Sequence, residues 1–314
     1  MRLAVLDLGS TSLHLLVAQA ATSTLQPLAR KRTVLHLGAA VERHGGFTPP
    51  IIDSVVTAVV RLQRWALRVG AEYVIGLATS AFREAANGYD VARRVTDAAG
   101  IQIRVLSGVE EARLAYRGAS ARLGLDARTP RLVLDLGGGS LDLAAGTHDE
   151  PAWAATLPLG VSRLGVRFLR EDRLSVSAER DLRAQVASAC AGINRSISSD
   201  EQGTAVVVGG PFRALMRAAL TRRTGREPVS VEGAELRRCE LDALATALVG
   251  TSLADRVAIP GVKPRRALHL PVAAVVAAES LRRLGLQRAC VTDWGVRHGA
   301  LLDAVAALPS HKVA

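Results

Sequence analysis

The apolar positions of this 314-residue chain alternate between two periodicities. Residues 3–8 (LAVLDL) are apolar but for one aspartate, and residues 12–18 (SLHLLVA) follow after a turn of small residues. That pattern predicts two strands joined by a tight hairpin. Residues 30–38 (RKRTVLHLG) predict a further strand. Residues 48–70 (TPPIIDSVVTAVVRLQRWALRVG) then carry apolar side chains at helical spacing, with Thr48 at the N-cap, prolines in the first turn and Gly70 at the end. They predict a long amphipathic helix. A strand (EYVIGLATSA), a short helix ending at Gly100 and another strand (IQIRVLSG) complete this half.

The programme then restarts. Residues 131–146 (RLVLDLGGGSLDLAAG) predict a second hairpin, and residues 152–160 (AWAATLPLG) a third strand. Residues 177–197 predict a long helix with Ser177 as N-cap and Glu179 placed to pair with Arg183. TAVVVGG is a strand ending in glycines, and PFRALMRAAL opens a helix at Pro211. Residues beyond Pro271 predict a final helix, strand and helix. The restart is nearly literal: VLDLGSTSLHL (5–15) and VLDLGGGSLDL (133–143) share eight of eleven positions. Strands alternating with helices, written twice, predict an α/β protein of two similar domains. We place the boundary between residues 118 and 119, with domains 1–118 and 119–314 and the last helix packing back on the first domain.

The repeated turns hold the candidate chemistry. Each has an aspartate, Asp7 or Asp135, at the end of a buried strand. Small residues follow: Gly9, Ser10, Thr11 and Ser12 in one copy, Gly137, Gly138, Gly139 and Ser140 in the other. Such turns let backbone N–H groups approach phosphate oxygens, and the hydroxyls add donors. A lone glycine turn mostly just reverses a chain; two at matching places predict a grip on a phosphate chain from both sides of a cleft. The aspartates would hold a divalent metal, Mg²⁺ (or Mn²⁺).

Charge and cysteine content narrow the class. The net charge is +11, and only three of the 40 basic residues are lysines. An arginine-rich surface suits a polyanion, although genome composition produces the same bias. Aromatics make up 3% of the chain, too few for a stacking platform, and no nucleic-acid-binding motif is present, so no specific nucleic acid is expected. No apolar run reaches the roughly 18 residues of a membrane span, and the first residues lack a signal-peptide pattern. Cys190, Cys239 and Cys290 are scattered, form no zinc or disulfide framework, and fit a reducing cytoplasm.

The chain resembles the exopolyphosphatase/guanosine pentaphosphate phosphatase family in its short two-domain form. The family lies within the superfamily of sugar kinases, actin and chaperone ATPases. The resemblance rests on DLGSTSLHLLV, ATSAFREAANG, LSGVEEARLAY, DLGGGSLDL and TDWGVRHGAL, in that order along the chain. It implies two ribonuclease H-like domains flanking a cleft and hydrolysis of terminal phosphate from inorganic polyphosphate, with guanosine pentaphosphate as the alternative substrate. A non-catalytic regulator that binds either one is a third reading. It is compatible with a homodimer and gives no reason to expect a membrane. By its residue type alone Glu111, like Glu110, is an ordinary first-turn acid that favours the helix dipole. The resemblance makes Glu111 the general base, with Glu110 assisting, and Arg83 the neutraliser of the transferred phosphoryl, where a surface ion pair is the plain alternative. It extends phosphate binding to Ser80, Gly209 and Gly210, and metal binding to Asp142, which stands where the family usually has glutamate. His14 matches Asp142 in the first copy and reads as a packed strand residue. Other departures are Thr11 for asparagine, Pro211 for threonine, Leu268 and Val272 for an acid and a glycine, and His298 for glutamate.

Overall fold

The computed structural model describes residues 1–21, 24–123, 131–147, 150–193 and 203–307. In chain order the first half contains β1 (Arg2–Leu8), β2 (Ser12–Ala21), β3 (Thr24–Val34), α1 (Leu37–His44), α2 (Pro49–Arg68), β4 (Tyr73–Ala78), α3 (Ser80–Glu84), α4 (Gly88–Ala99), β5 (Ile103–Val105) and α5 (Gly108–Leu123). The second half contains β6 (Arg131–Leu136), β7 (Leu141–Gly146), β8 (Trp153–Leu157), α6 (Val161–Phe168), α7 (Val176–Ala191), β9 (Thr204–Val208), α8 (Gly210–Thr224), β10 (Glu235–Arg237), α9 (Arg238–Leu248), α10 (Leu253–Ala258), α11 (Pro264–Ala267), α12 (Leu270–Arg283), β11 (Arg288–Val291) and α13 (Val296–Ala307).

Two compact units result. One comprises Met1–Gly118 with the chain from Trp294 onward, the other Ala119–Asp293. The first is built on a five-stranded sheet of order β3-β2-β1-β4-β5, in which β1, β2 and β3 form an antiparallel meander and β4 and β5 run parallel to β1. The second sheet, β10-β11-β9-β6-β7-β8, repeats that plan: β6, β7 and β8 form the meander, β9 and β11 run parallel to β6, and β10 is added antiparallel at the edge.

Strand β1 is buried on both faces, which explains its unbroken apolar run. Ala4, Leu6 and Leu8 pack with α2 and α4. Leu3 and Val5 face the opposite way, onto Leu114 and Ala115 of α5 and Val296, Ala300 and Leu301 of α13. Alternation along one strand thus assigns each helix to a face. Two glycines let α13 lie directly on α5: a Cβ at Gly118 would stand 2.4 Å from the Gly295 carbonyl oxygen, and one at Gly299 would stand 2.0 Å from that of Leu114.

In the second unit α12 is apolar on every side and buried through Leu281, as expected of a helix surrounded by others. Its one carboxylate, Glu279, is fully buried and held by Arg282, Arg283 and Arg183, the last also bonded to Glu179 at 2.6 Å. Burial alone would raise the Glu279 carboxyl, but hydrogen bonds from Arg282 and Arg283 outweigh it and hold the pKa below the ordinary value.

The structure revises three sequence expectations. The strand expected at 30–38 runs instead from Thr24 to Val34, and Leu37–His44 is a helix. The ladder ends because the Leu35 and His36 N–H groups turn to the Thr11 carbonyl, with His36 left-handed at φ 51°. The third strand of the second half ends at Leu157, short of Gly160. Finally, Ser175 and not Ser177 caps α7: its backbone is extended and its Oγ accepts the Ala178 N–H at 3.2 Å. The helix closes at Ala191, and residues 194–197 of the expected helix lie outside the described residues.

Candidate functional site

Each unit carries one repeated turn at the end of its central strand, and each turn is built alike. In the first unit the Gly9 N–H donates to the Ser12 carbonyl at 3.2 Å, closing the hairpin. The turn carbonyls are then held from behind: Ser10 accepts from Gly38 N–H at 2.7 Å, and Thr11 from Leu35 and His36 N–H at 3.2 and 3.0 Å. In the second unit the Gly137 N–H donates to the Ser140 carbonyl at 3.0 Å. The Gly137 carbonyl accepts from Val161 N–H at 3.1 Å, that of Gly138 from Ser162 and Arg163 N–H at 2.8 and 3.2 Å, and that of Gly139 from Arg163 Nε at 3.2 Å. The short helices α1 and α6 are therefore clamps on the two turns. Fixing a carbonyl fixes its planar peptide unit, and so fixes the direction of the attached N–H. A phosphate-binding turn needs that preorganisation.

The clamps demand glycine. A Cβ at Gly160 would stand 2.1–2.3 Å from three backbone atoms of Gly139, and one at Gly38 would stand 2.8 Å from the Ser10 Cβ. Gly209, at φ 101°, lies against Asp135: a Cβ there would be 2.3 Å from the Leu136 carbonyl oxygen and 2.7 Å from Asp135 Oδ1. The structure thus brings Asp135, Gly137, Gly138, Gly139, Ser140, Gly209 and Gly210 together in the second unit.

In the first unit, Ser10 and Ser80 share a buried hydroxyl–hydroxyl bond of 2.7 Å, joining the turn to α3. Arg83, near the end of α3, donates through Nη1 to the Leu106 carbonyl at 2.7 Å and to Glu111 Oε2 at 3.2 Å. Glu111 is 9% exposed and sits in the first turn of α5. This ion pair links two motifs 28 residues apart. Glu110 points elsewhere: its Oε2 accepts the Ser107 N–H at 2.8 Å, while its own N–H donates to Ser107 Oγ at 3.2 Å. That is a capping box, and the Ser107 hydrogen bonds hold the Glu110 carboxyl below its ordinary value. Glu110 fixes the start of the helix from which Glu111 projects, and the S-x-x-E spacing in SGVEEAR is the signal for it.

Asp7 and His14 are direct cross-strand partners, as are Asp135 and Asp142. Asp142 is buried, and its two oxygens accept the Ser140 and Thr156 hydroxyls, at 2.9 Å from Ser140. It braces its own turn. Asp7 meets Arg297 of α13 at 3.5 Å; burial raises the Asp7 carboxyl above its ordinary value, and the guanidinium opposes that shift. Nothing in the TDWGVRHGAL motif marks Arg297 as the partner of Asp7, because only the packing of α13 on β1 brings it there. His298, on the same helix, stacks on Trp294 with ring centroids 4.8 Å apart.

Beside Gly210 the second unit has a pocket of about 130 Å³ whose walls include Arg213, Arg217, Lys263, Arg265 and Arg266. Only the fold brings the Lys263–Arg266 stretch against α8. Among the described residues, no three or more His, Cys, Asp or Glu side chains gather into an all-protein metal site. Asp7 and Asp135 offer single carboxylates. The single carboxylate of either unit fits a hard cation such as Mg²⁺, which typically takes one or two carboxylates and completes its shell with water and substrate phosphate. Also among the described residues, no helix is long and apolar enough to cross a membrane.

Replacing Arg83 by Ala is expected to raise KM and to lower kcat by about 10²-fold, because its Nη1 holds both the Leu106 carbonyl and Glu111. Arg83→Lys should recover part of the KM but little of the kcat, since an ammonium lacks the further coplanar donors that a guanidinium turns toward a phosphoryl group. Steady-state kinetics of the two variants would check this, and equal recovery of both constants would count against the role.

A model of the Ppx/GppA phosphatase family matches residues 16–308, beginning just past the first turn. Exopolyphosphatase 1 of Mycobacterium leprae is 32% identical over 312 residues, covering 96% of this chain and 89% of that protein. Exopolyphosphatase 2 of Mycobacterium tuberculosis is 28% identical and covers 97% of each chain. Among solved structures, an exopolyphosphatase from Cytophaga hutchinsonii superposes with a TM-score of 0.86 at 21% identity, over 98% of this chain and 99% of that one. The Aquifex aeolicus Ppx/GppA family member superposes with a TM-score of 0.81 at 22% identity, over 98% of both chains. These structures share the two-sheet α/β fold described above.

Proposed function

Because this chain belongs to the Ppx/GppA phosphatase family, we propose that it is an exopolyphosphatase, hydrolysing the terminal phosphoanhydride bond of inorganic polyphosphate. The observation that carries the reading is the half-buried Arg83–Glu111 pair at the start of α5. A carboxylate held by a guanidinium in a mostly dry setting can orient a water molecule and take its proton while the arginine neutralises charge on the phosphoryl being transferred. The water oxygen attacks the terminal phosphorus, the bridging P–O bond breaks in line, and the bridging oxygen leaves with the shortened chain. Glu111 accepts the proton of the attacking water.

The other residues bind and orient. The clamped turns at Gly9 and Gly137 present fixed backbone N–H groups suited to phosphate oxygens. Ser10, Ser80 and Ser140 add hydroxyls, and Glu110 keeps the α5 start in place. Asp7 and Asp135 are the carboxylates of their respective units that would hold Mg²⁺ or Mn²⁺, which when bound neutralises phosphate charge. We place the protein in a reducing, cytoplasmic compartment on the scattered cysteine pattern of its sequence.

A second reading, guanosine pentaphosphate 5′-phosphohydrolysis, uses the same apparatus; the observation in its favour is the basic pocket beside Gly210, which suits a second phosphate group. Phosphate release from long-chain polyphosphate and from guanosine pentaphosphate, each with Mg²⁺, with Mn²⁺ and with chelator, separates the readings. We expect metal-dependent release that is faster from polyphosphate. Faster release from the nucleotide would favour the second reading. Tight binding without release from either would make the protein a sensor.

A further inference from the structure

A second basic surface lies on the first unit, on residues that the mechanism does not use. Arg61, Arg64 and Arg68 are exposed on α2 at a spacing that puts them on one face of the helix. Lys31 of β3 joins that face: its Nζ lies 4.5 Å over the Trp65 ring, while Arg61 donates to Thr33 Oγ1 at 3.0 Å. Arg30 and Arg32 flank Lys31 on the same edge strand and point to its other side. No acid occurs from Thr24 to Val34 or from Ser54 to Gly70, and Asp53 at the start of α2 is bonded to Arg94 at 3.0 Å. The stripe from Arg61 to Arg68 therefore runs for about 10 Å with no acidic residue of its own.

Two ordinary explanations account for parts of this surface. Basic side chains on an edge strand deter strand-to-strand aggregation, which would cover Arg30, Lys31 and Arg32. A cation in the last turn complements the helix dipole, which would cover Arg68. Neither accounts for Arg61 and Arg64, which sit mid-helix among like charges, Arg61 reaching across to Thr33 of β3. A stripe of cations with no acid in its own segment suits a polyanion, because each contact releases a condensed counterion.

We propose that the α2–β3 face is an accessory docking surface for long inorganic polyphosphate, separate from the residues that cleave it. The inference rests on the proposed function for the identity of the polyanion. Polyphosphate is favoured over nucleic acid because Lys31 covers Trp65, the aromatic residue of the α2 and β3 segments, leaving it no open face for a base. A surface of this kind holds the body of the chain, so it raises affinity for long substrates and leaves short ones unaffected.

The test compares wild type with a variant carrying K31Q, R61Q, R64Q and R68Q. Turnover would be measured on tripolyphosphate and on chains of several hundred phosphates. Binding of the long chain would be measured in a Glu111→Gln background across a salt series. We expect the long-chain Kd to rise about tenfold or more at low salt, and the slope of log Kd against log salt to fall by about three to four. Tripolyphosphate turnover should stay within about twofold. The triple lysine variant R61K/R64K/R68K keeps the charge and should bind like wild type.

An unchanged long-chain Kd and slope would overturn the proposal. So would tripolyphosphate turnover falling in parallel with long-chain turnover, or the lysine variant losing as much as the glutamine one. Duplex DNA of equal charge binding as tightly, with the same dependence on the four residues, would reassign the surface to nucleic acid. If the wild type binds long polyphosphate through this face yet releases no phosphate from any chain, the proposed function fails and the docking surface stands.

Discussion

Replacing Glu111 by Gln is expected to lower kcat on polyphosphate by about 10²–10⁴-fold, the usual contribution of a general base. Gln keeps the shape of the side chain, and its amide oxygen can still accept from Arg83 Nη1, which lies 3.2 Å from Glu111 Oε2. What it loses is the capacity to take a proton. Substrate affinity should therefore stay within about twofold, because the phosphate ligands we propose lie elsewhere: on the clamped turns, on Arg83 and on the seryl hydroxyls. A change confined to kcat marks an interaction made in the transition state. Equilibrium binding of polyphosphate to the variant, set beside its steady-state turnover, checks both halves. A variant that turned over normally would remove Glu111 from the mechanism, and one that failed to bind would make Glu111 a ligand.

Gly160→Ala is expected to have the largest effect on the fold of the site. The new Cβ would stand 2.1–2.3 Å from the N, Cα and C atoms of Gly139, all backbone, so no flexible side chain can yield. Either α6 lifts off the turn or the turn itself moves. Overpacking of this kind typically costs about 3 kcal/mol, at the upper end of its usual range, which for a unit of this size lowers Tm by roughly 6–12 °C. Activity should fall with it, since the Val161, Ser162 and Arg163 donors that hold the turn carbonyls leave their positions. Gly192→Ala is the control: a Cβ there meets nothing within 4 Å, and the backbone at φ −83° accepts alanine. Calorimetry of the two variants separates the outcomes. Equal stability would mean that the close contact at Gly139 relaxes at no cost.

Much of the site was legible in the sequence because it is written twice. The repeated VLDLG phrase gave both hairpins and both aspartates, and the strand registers pair Asp7 with His14 as they pair Asp135 with Asp142. The clamps were not legible. Helices α1 and α6 have eight residues each, too few for a helical period to stand out beside the strands that precede them. Leu35 and Leu159 accordingly read as the tails of strands. Arg297 could not be found from spacing, because its partner is 290 positions away and their meeting depends on two glycine contacts between α5 and α13. Glu110 carries the S-x-x-E capping-box spacing, which its position beside Glu111 obscures. Ser177 reads as the cap although Ser175 takes the position, because both are serines two residues apart and only the backbone angles distinguish them.

The central claim is that water, activated at Glu111, cleaves the terminal anhydride. Hydrolysis of long-chain polyphosphate by the wild-type protein in ¹⁸O-enriched water, with mass analysis of the released orthophosphate, tests it most directly. The account predicts one solvent oxygen in each phosphate released from a chain end. Released phosphate lacking solvent oxygen, or no release at all, would contradict it.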